Sequence, residues 1–434
     1  MKTGRKCRKV WFLSVVAFLL VGFSGCALLL QNMNSLQNAK QESQNQSTGQ
    51  NNSSGEFSVV EDVLKDKKFN DKLEVIGELV DQVYLNDVTK EEVEKGIFRG
   101  IMAGLGDPYA GYYTAREYKD LMESSSGTYC GIGAVVQQNI NTMLITVVNP
   151  FVDGPAYKAG MLPGDIIYKV DGSDVTAMDI NSVVALMKGE ANTIVEVTVL
   201  RDGVEKVLTI TRDFVEVETI TYEMLDSKIG LITITEFDEV TIQQFKDAIT
   251  SLKADGMKGL IIDLRDNPGG LLNAVVDMLD YILPKGMIVY TKDKYGYSEE
   301  YKGTDENVLE LPMAVIINEN SASASEIFAA AMQDYEAATI VGTTSFGKGI
   351  VQSIYPVYWV AEQLGYEGFE NDGSAVKLTI SYYYSPEGRC IHGTGVTPDL
   401  PVELNEELRQ VVVIPQEQDN QLQAAIATLL EEIK

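Results

Sequence analysis

The chain has 434 residues and a formal net charge of −28, and 45% of its residues are hydrophobic. The hydrophobic fraction is typical of globular proteins and excludes a largely disordered chain, while the length predicts two or three domains. The acidic balance argues against nucleic acid as a partner, because a surface that binds phosphates should be basic.

The first thirty residues predict export and tethering to a membrane. Five basic residues within positions 2–9 precede an apolar run over residues 10–30, which is long enough to span a bilayer. The positive end should stay in the cytoplasm, so the rest of the chain should lie outside it.

A second interpretation of the same segment is a lipoprotein signal. Residues 23–26 (FSGC) resemble a bacterial lipoprotein cleavage box, in which lipid is attached to Cys26. Phenylalanine replaces the usual leucine and residues 27–30 stay apolar, so an uncleaved signal anchor is slightly favoured. Both interpretations place the protein at the extracytoplasmic face of the cell membrane.

A linker and a helical segment follow. Residues 31–56 are rich in Gln, Asn and Ser and cannot bury a core, so they predict a flexible linker. Residues 57–125 carry apolar side chains at helical spacing and predict two packing helices, the second ended by Gly-Asp-Pro at 106–108. The apolar positions are Ile76, Leu79, Val80 and Val83, then Phe98, Ile101, Met102 and Leu105.

Residues 126–215 predict a peptide-binding module. Strands are expected at 144–149 and 194–200 and a short helix at 180–188, and the intervening GPAYKAGMLPGDIIYKVDGSDV strongly resembles the PDZ domain. In a PDZ domain, the loop that grips a free carboxylate would be Gly131, Ile132 and Gly133. Successive amides near glycine can form a nest for an anion, and the bound peptide then adds as a strand to the sheet edge.

Residues 216–400 predict an α/β core. Strands at 230–235, 259–264 and 314–317 alternate with helical stripes, which implies βαβ units. Asp263, Arg265 and Asp266 end one strand, and we interpret them as a salt-bridged strand end rather than a catalytic or metal site. The tail, residues 401–434, predicts a docking amphipathic helix with its apolar face at Leu422, Ala425, Ile426 and Leu429.

Three alternate serines follow the apolar run at residues 312–317: Ser321, Ser323 and Ser325. A serine at the mouth of a helix exposes its oxygen beside amides that can hold a developing negative charge. Ser323 and Glu326 also fit the capping box, and taken alone that spacing favours simple helix capping.

The sequence contains one histidine, His392, so a histidine-based triad has a single candidate member. Lysine is the known alternative base for serine, and Lys348 lies between Gly347 and Gly349 with apolar residues around it. To act near neutral pH, its pKa would have to fall by about three units from about 10.4, which burial can supply.

The sequence SASASEIFAAAMQD followed by FGKGIVQ closely resembles the carboxyl-terminal processing peptidases, also called tail-specific proteases. GLGDPYAGYYTAREY at 104–118 resembles a signature that precedes the binding domain in this family. The resemblance implies that Ser323 is the nucleophile, that Lys348 is the general base and that Gln352 supports the lysine. Gln352 would share one face of a strand with Lys348 because their spacing is even. In some members an aspartate at the position of Asp334 also matters.

The resemblance further implies a crotonase-like core, as in the Clp proteases, with an inserted PDZ domain and helical N- and C-terminal segments. Its oxyanion hole would use the amides of Ala324 and of Gly269 or Gly270. The stretch around His392 has a structural role in the family, so no chemistry is assigned to it. We expect no metal or cofactor, and we expect Cys130 and Cys390 to stay unpaired, because a disulfide would have to join separate domains.

The sequence therefore predicts an exported, membrane-tethered serine endopeptidase that reads protein C-terminal tails through its PDZ domain. Its expected partners are peptides with free C-termini and the membrane, and the family resemblance allows a homodimer through the 57–125 segment. The competing hypothesis is a non-catalytic PDZ scaffold that binds exposed protein C-termini.

Overall fold

The computed structural model describes residues 59–304, 308–409, 411 and 414–433. The predicted anchor at 1–30 and linker at 31–56 lie outside the described residues. Across those described ranges, no helix combines the length and the apolar character needed to cross a membrane. The chain divides into two compact units. Unit 1 comprises the described residues up to Lys119 with Asp293–Tyr295 and Ile350–Ser381, and unit 2 comprises Asp120–Lys292, Gly296–Gly349 and Tyr382–Lys434.

Side-chain caps start several of the helices. Thr89 and Glu92 form a complete capping box, and the Asp419 carboxylate accepts hydrogen bonds from the amides of Gln421 and Leu422. The helices are α1 Val59–Lys65, α2 Lys67–Val83, α3 Lys90–Ala103, α4 Ala115–Ser126, α5 Pro155–Lys158, α6 Ile180–Met187, α7 Glu239–Ala254, α8 Leu272–Asp280, α9 Ala324–Asp334, α10 Val357–Leu364 and α11 Asn420–Glu432, with a 3₁₀ turn at Glu406–Leu408.

The strands confirm the predicted positions in the PDZ-like segment and the core. They are β1 Gly111–Tyr113, β2 Thr128–Gly131, β3 Ala134–Gln138, β4 Ile145–Pro150, β5 Ile166–Val170, β6 Ser173–Asp174, β7 Ile194–Arg201, β8 Val204–Thr211, β9 Asp213–Glu216, β10 Ile220–Met224, β11 Ile229–Ile234, β12 Gly259–Asp263, β13 Gly286–Asp293, β14 Ser298–Gly303, β15 Met313–Ile317, β16 Thr339–Gly342, β17 Ile350–Pro356, β18 Ala375–Tyr384 and β19 Leu400–Pro401.

Unit 1 contains the predicted N-terminal helices. β1 pairs antiparallel with β18, with Tyr112 opposite Val376. β17 also pairs with β18. The ring of Phe98 on α3 lies 5.0 Å from that of Tyr112. The predicted helix α2 forms, but the four apolar residues of its stripe, Ile76, Leu79, Val80 and Val83, are all exposed and no residue of α2 is buried, so the predicted packing of this face is not present in the single chain.

The PDZ-like segment of unit 2 is an antiparallel sheet in the order β3-β4-β5-β7-β8, with β6 paired to β5. The first four residues of β7 alternate exposed and buried, as on a sheet with one solvent face. Val147, Ile167, Val183 and Val197 meet in its core and tie α6 to the sheet. The antiparallel ribbon of β2 and β9 joins this segment to the rest of the unit.

The α/β core of unit 2 is a sheet in the order β10-β11-β12-β15-β16-β19. β11, β12, β15, β16 and β19 run parallel, and β10 is antiparallel to β11. Helices α7, α8 and α9 follow β11, β12 and β15 in turn, which confirms the predicted βαβ units. Every residue of β12 and β15 is buried, because helices cover the sheet and α11 packs Leu422 and Leu429 against it.

Candidate active site

Strand β15 delivers three serines to the start of α9, and the structure separates them by burial. Ser321 and Ser325 are fully buried, whereas Ser323 is partly exposed. The Ser321 hydroxyl donates to the carbonyl of Leu264 at 2.7 Å, and the Ser325 hydroxyl donates to the carbonyl of Asn267 at 3.0 Å. The outer two serines therefore anchor the turn to the end of β12, and Ser323 is the one of the three that solvent partly reaches.

The backbone of Ser323 is strained. Its φ of 56° and ψ of −113° lie in a region that L-residues rarely adopt, and such a conformation costs about 1–3 kcal/mol. A serine on a sharp, strained turn from strand to helix projects its oxygen away from the backbone, the arrangement found at the nucleophile of α/β-hydrolases. Hydrogen bonds on both sides hold the conformation: its amide donates to Glu326, and its carbonyl accepts from the amide of Ile327 at 3.0 Å.

The carboxylate of Glu326 is the point where the serine turn and the lysine loop meet. It is fully buried, and its Oε2 atom accepts the amides of Ser323 at 2.9 Å and of Lys348 at 2.7 Å. Its Oε1 atom accepts the Ser345 hydroxyl at 2.6 Å and the Gly347 amide at 2.7 Å. The carboxylate half of the predicted capping box is formed, and the same group fixes the backbone of the lysine loop.

A buried tyrosine makes a second link between these two segments. The phenolic oxygen of Tyr383 lies 3.0 Å from the carbonyl oxygen of Ser323 and 2.8 Å from that of Lys348. Its single proton can be donated to either carbonyl. Burial raises the pKa of Tyr383 well above its usual value, and the charge of Glu326 adds to that, so the phenol stays protonated and remains a donor.

The turn after β12 packs directly on the serine turn. Asn267 is fully buried, its Nδ2 donates to the Ile234 carbonyl at 2.8 Å, and its backbone carbonyl accepts the amide of Ala322 at 3.0 Å. Gly269 has a φ of 106°, and a Cβ added there would lie 2.8 Å from Ser323 Cβ and 2.9 Å from the Ala324 nitrogen. Only glycine allows this approach. Its amide donates to Asn267 Oδ1 at 2.8 Å.

A cavity of about 320 Å³ lies between β3 and α6, at the PDZ-like loop. Its lining includes Tyr129, Ile132 and Ala134, together with Val184 and Met187 of α6. Asp120, Glu123, Glu236 and Asp238 also line this groove, so its wall is part apolar and part acidic.

Comparisons with known proteins agree with this architecture. A family model of peptidase family S41 matches residues 228–402, and a PDZ-domain model matches residues 145–201. The carboxy-terminal processing protease CtpA of Bacillus subtilis is 38% identical over 341 residues, which cover 78% of this chain and 70% of that protein. The chain belongs to peptidase family S41. It is accordingly a serine-type peptidase, and the predicted family and mixed α/β fold are confirmed.

Other similar proteins carry related names. The carboxy-terminal-processing protease of Bartonella bacilliformis is 38% identical over 340 residues, covering 75% of this chain and 74% of that protein. The solved photosystem II D1 C-terminal processing protease is 28% identical, with a TM-score of 0.44, and covers 78% of this chain and 89% of that one.

Within this S41 peptidase, the structure brings together the backbones of Ser323, Ala324, Gly269 and Lys348. Lys348 is partly buried and precedes β17 by two residues, so the predicted strand does not extend back to it. Gln352 lies on β17 in unit 1, where its Nε2 is 3.5 Å from Thr379 Oγ1. The role of Gln352 beside the lysine stays a prediction.

The remaining candidate residues have structural partners. Asp334 pairs with Arg389 and accepts the Glu387 amide at 2.8 Å. His392 packs its ring 5.3 Å from that of Tyr382, and its backbone nitrogen fills the space that a side chain at residue 349 would need. Cys130 and Cys390 are free thiols.

The charged end of β12 is a salt bridge, as predicted. Arg265 donates to Asp263 at 2.6 Å and to Asp419 at 2.8 Å, so the strand end is tied to the start of α11. Asp266 instead accepts the side-chain amides of Asn318 and Asn320 at 2.9 and 2.8 Å. These contacts are structural and give the three residues partners away from Ser323.

Proposed function

We propose that this S41 peptidase cleaves peptide bonds with a dyad formed by Ser323 and Lys348. The observation that carries the proposal is the shared Glu326 carboxylate, which accepts the backbone amides of both residues within 2.9 Å. A single buried group that fixes both backbones sets the position of the nucleophile relative to the base.

In the proposed reaction, the Ser323 hydroxyl attacks the scissile carbonyl while its proton passes to the neutral amine of Lys348. The tetrahedral oxyanion is held by the Ala324 amide and by an amide of Gly269 or Gly270. The C–N bond then breaks, and Lys348 returns the proton to the leaving amine. Water hydrolyses the acyl-enzyme by the reverse exchange of protons. Gln352 is proposed to support Lys348 in its neutral form.

The choice between the two glycines bears on this mechanism. In the described conformation the Gly269 amide is engaged by Asn267 Oδ1. To serve as an oxyanion donor, that amide would have to exchange this partner for the substrate oxygen. Gly270 forms an isolated β-bridge with Phe237, which lies in the connection between β11 and α7. This pairing holds the turn from one side.

We also propose that the PDZ domain selects substrates by their C-termini. The loop Gly131–Gly133 would supply amides to the terminal carboxylate, and the groove between β3 and α6 would take the last side chain. The names of the similar carboxy-terminal processing proteases support a preference for C-termini.

The dyad is tested by cleavage of an unstructured peptide with a free apolar C-terminus. Ser323→Ala and Lys348→Ala should each abolish turnover while the fold stays intact by circular dichroism. His392→Ala should keep substantial activity, since that residue is assigned a structural role. Turnover retained in Ser323→Ala would refute the assignment, and a His392→Ala variant as inactive as Ser323→Ala would favour a histidine mechanism.

The same peptide distinguishes the proposed peptidase from a non-catalytic PDZ scaffold. Binding without hydrolysis by the unmodified chain would favour a non-catalytic PDZ scaffold. Hydrolysis that Ser323→Ala removes would exclude it.

We propose that the protein is exported and held at the membrane by its first thirty residues. The supporting feature is the basic flank followed by the apolar run at 10–30. Cell fractionation of the full chain and of Cys26→Ala tests this. Membrane association that survives Cys26→Ala supports a signal anchor, loss of association supports lipid attachment, and a wild-type chain found in the soluble cytoplasmic fraction would overturn export.

A further inference from the structure

The cavity at the PDZ-like loop combines two unlike kinds of lining. Apolar residues come from the loop, from β3 and from α6: Ile132, Ala134, Val136, Val184 and Met187. Acidic residues come from α4 and from the connection between β11 and α7: Asp120, Glu123, Glu236 and Asp238. A ligand that suits both needs an apolar stem that ends in a positive charge, and the side chains of lysine and arginine are built in this way.

Asp238 is the most enclosed of the four acids, since it is 4% exposed. Its carboxyl lies against the turn between α4 and β2, where a Cβ added at Gly127 would be 3.4 Å from Asp238 Oδ2. Within the part of the chain that the structure describes, no lysine or arginine forms an ion pair with Asp238 or Glu236. A buried carboxylate without a counter-charge is costly, so a ligand that brings a cation here gains more than it would on an open surface.

The lysine that lines the cavity is engaged by another acid. The ammonium of Lys188 is 3.6 Å from the carboxylate of Glu123 and 5.1 Å from the centre of the Tyr129 ring. It therefore offsets the charge on the α4 side and leaves Glu236 and Asp238 without a counter-charge. A peptide tail adds its own terminal carboxylate, and that charge is repelled here unless the tail also brings a cation.

We propose that this cavity takes the side chain of a C-terminal lysine or arginine, so that the preferred substrates end in a basic residue. The methylene stem packs on the apolar lining, and the charged head pairs with Glu236 and Asp238. An apolar last residue fills the same space but leaves both carboxylates without a counter-charge. This inference rests on the proposed recognition of C-termini by the PDZ domain.

The test measures binding to the full chain carrying Ser323→Ala, which prevents cleavage of the probe. The probes are fluorescein-labelled ten-residue peptides that differ only in the last residue, which is lysine or norleucine, and norleucine keeps the stem of lysine without its ammonium. Their Kd values are read by fluorescence anisotropy at pH 8 and about 150 mM salt, which screens long-range attraction to the acidic chain. The lysine peptide should bind at least about tenfold more tightly than the norleucine peptide. Amidation of its terminus should weaken binding at least about tenfold.

Glu236→Gln and Asp238→Asn each remove one charge that the basic head would meet. Each should lower the preference for lysine over norleucine at least about threefold and change the Kd of the norleucine peptide less than twofold. Glu236 is exposed, so Glu236→Gln still tests the inference if a thermal melt shows that Asp238→Asn is unstable. Glu216→Gln is the matched control. Glu216 is an exposed acid on β9 that does not line the cavity, and its substitution changes the net charge equally but should keep the preference.

The outcomes separate this inference from the recognition of C-termini. If the parent binds the free acid more tightly than the amide but binds lysine and norleucine equally, the basic preference is overturned and recognition of C-termini stands. The same conclusion follows if lysine is preferred but neither Glu236→Gln nor Asp238→Asn lowers the preference more than the control does. If amidation leaves binding unchanged, recognition of C-termini fails, and this inference fails with it.

Discussion

The carboxylate of Glu326 and the backbone amide of Lys348 are joined by a hydrogen bond of 2.7 Å across 22 residues of chain. The same oxygen accepts the amide of Ser323, so one buried charge sets the separation of the two backbones. Hydrogen bonds to a charged group are stronger than those between neutral groups. The carboxylate also lies where α9 begins, and the positive end of the helix dipole stabilises it there.

We expect Glu326→Gln to lower kcat/KM by at least about 100-fold. The carboxylate accepts four hydrogen bonds through two oxygens, and an amide side chain offers one acceptor oxygen, so donors on one side lose their partner. Each buried donor left unpaired costs about 1–3 kcal/mol, and the resulting shift of the lysine loop would misalign the dyad. Steady-state kinetics and a thermal melt check this.

Glu319→Gln is a suitable control for the glutamate variant. Glu319, like Glu326, follows strand β15, but it is exposed and accepts a hydrogen bond from Thr343 at 3.1 Å. Its substitution should leave kcat/KM within twofold. If Glu326→Gln were as active as the control, the carboxylate would not position the dyad.

We expect Tyr383→Phe to reduce kcat about tenfold and to change KM less than twofold. The ring volume is kept, and the carbonyls of Ser323 and Lys348 lose a shared donor, so the loops shift without loss of the core. Because burial keeps the Tyr383 pKa well above 10, the ratio of the wild-type kcat to the Tyr383→Phe kcat should be constant between pH 6 and pH 9. Tyr382→Phe, at a half-exposed neighbour, serves as the control. An equal loss in both variants would show that the Tyr383 hydroxyl has no special role.

We expect Asp238 to make the protein less stable as the pH rises. Asp238 is 4% exposed, and burial, with smaller contributions from Glu236 and Glu239, raises its pKa to about 7. The folded carboxyl therefore keeps a proton that the unfolded chain releases near pH 4. The stabilisation is complete below about pH 4 and is lost as the pH rises through 7. Between pH 5 and pH 8 this group should lower the free energy of unfolding by about 2–3 kcal/mol.

Asp238→Asn tests this pH dependence, because asparagine still caps a helix but does not ionise. Urea denaturation gives the free energy of unfolding at pH 5 and at pH 8. From pH 5 to pH 8 this free energy should fall by about 2 kcal/mol less in the variant than in the wild type. Asp255→Asn, at an exposed aspartate on the other end of α7, should behave like the wild type. Equal pH dependence in all three proteins would show that Asp238 ionises normally.

The sequence predicts the strands and helices of the core well, and the long-range polar contacts poorly. β12 and β15 are short apolar runs, and their burial on both faces follows directly from that pattern. The hairpin of β13 and β14 was not predicted, because β14 carries Glu299, Glu300 and Lys302 on a strand with one solvent face. Alternation interrupted by charges gives a weak strand signal.

The polar framework of the site shows the same limit. Glu326 is recognisable as a capping residue from its spacing to Ser323, but nothing local indicates that it also binds Ser345, Gly347 and Lys348. Tyr383 is buried, and only the fold reveals that its hydroxyl lies within hydrogen-bonding distance of the carbonyls of Ser323 and Lys348. Neither Tyr383 nor Asn267 belongs to a motif from which its contacts could have been predicted.

We expect Gly269→Ala to inactivate the enzyme without unfolding it. The added methyl group would lie 2.7 Å from the Ala322 carbonyl oxygen and 2.8 Å from Ser323 Cβ, so the serine turn must shift. Gly256→Ala is a matched control, since its φ of 85° imposes the same kind of backbone strain, about 1 kcal/mol, in open space at the end of α7. Peptide cleavage should fall by at least about 100-fold in the first variant, since a 1 Å misplacement can cost that much, and should persist in the second. Comparable activity in the two variants would mean that the turn after β12 can move away from Ser323 without consequence for catalysis.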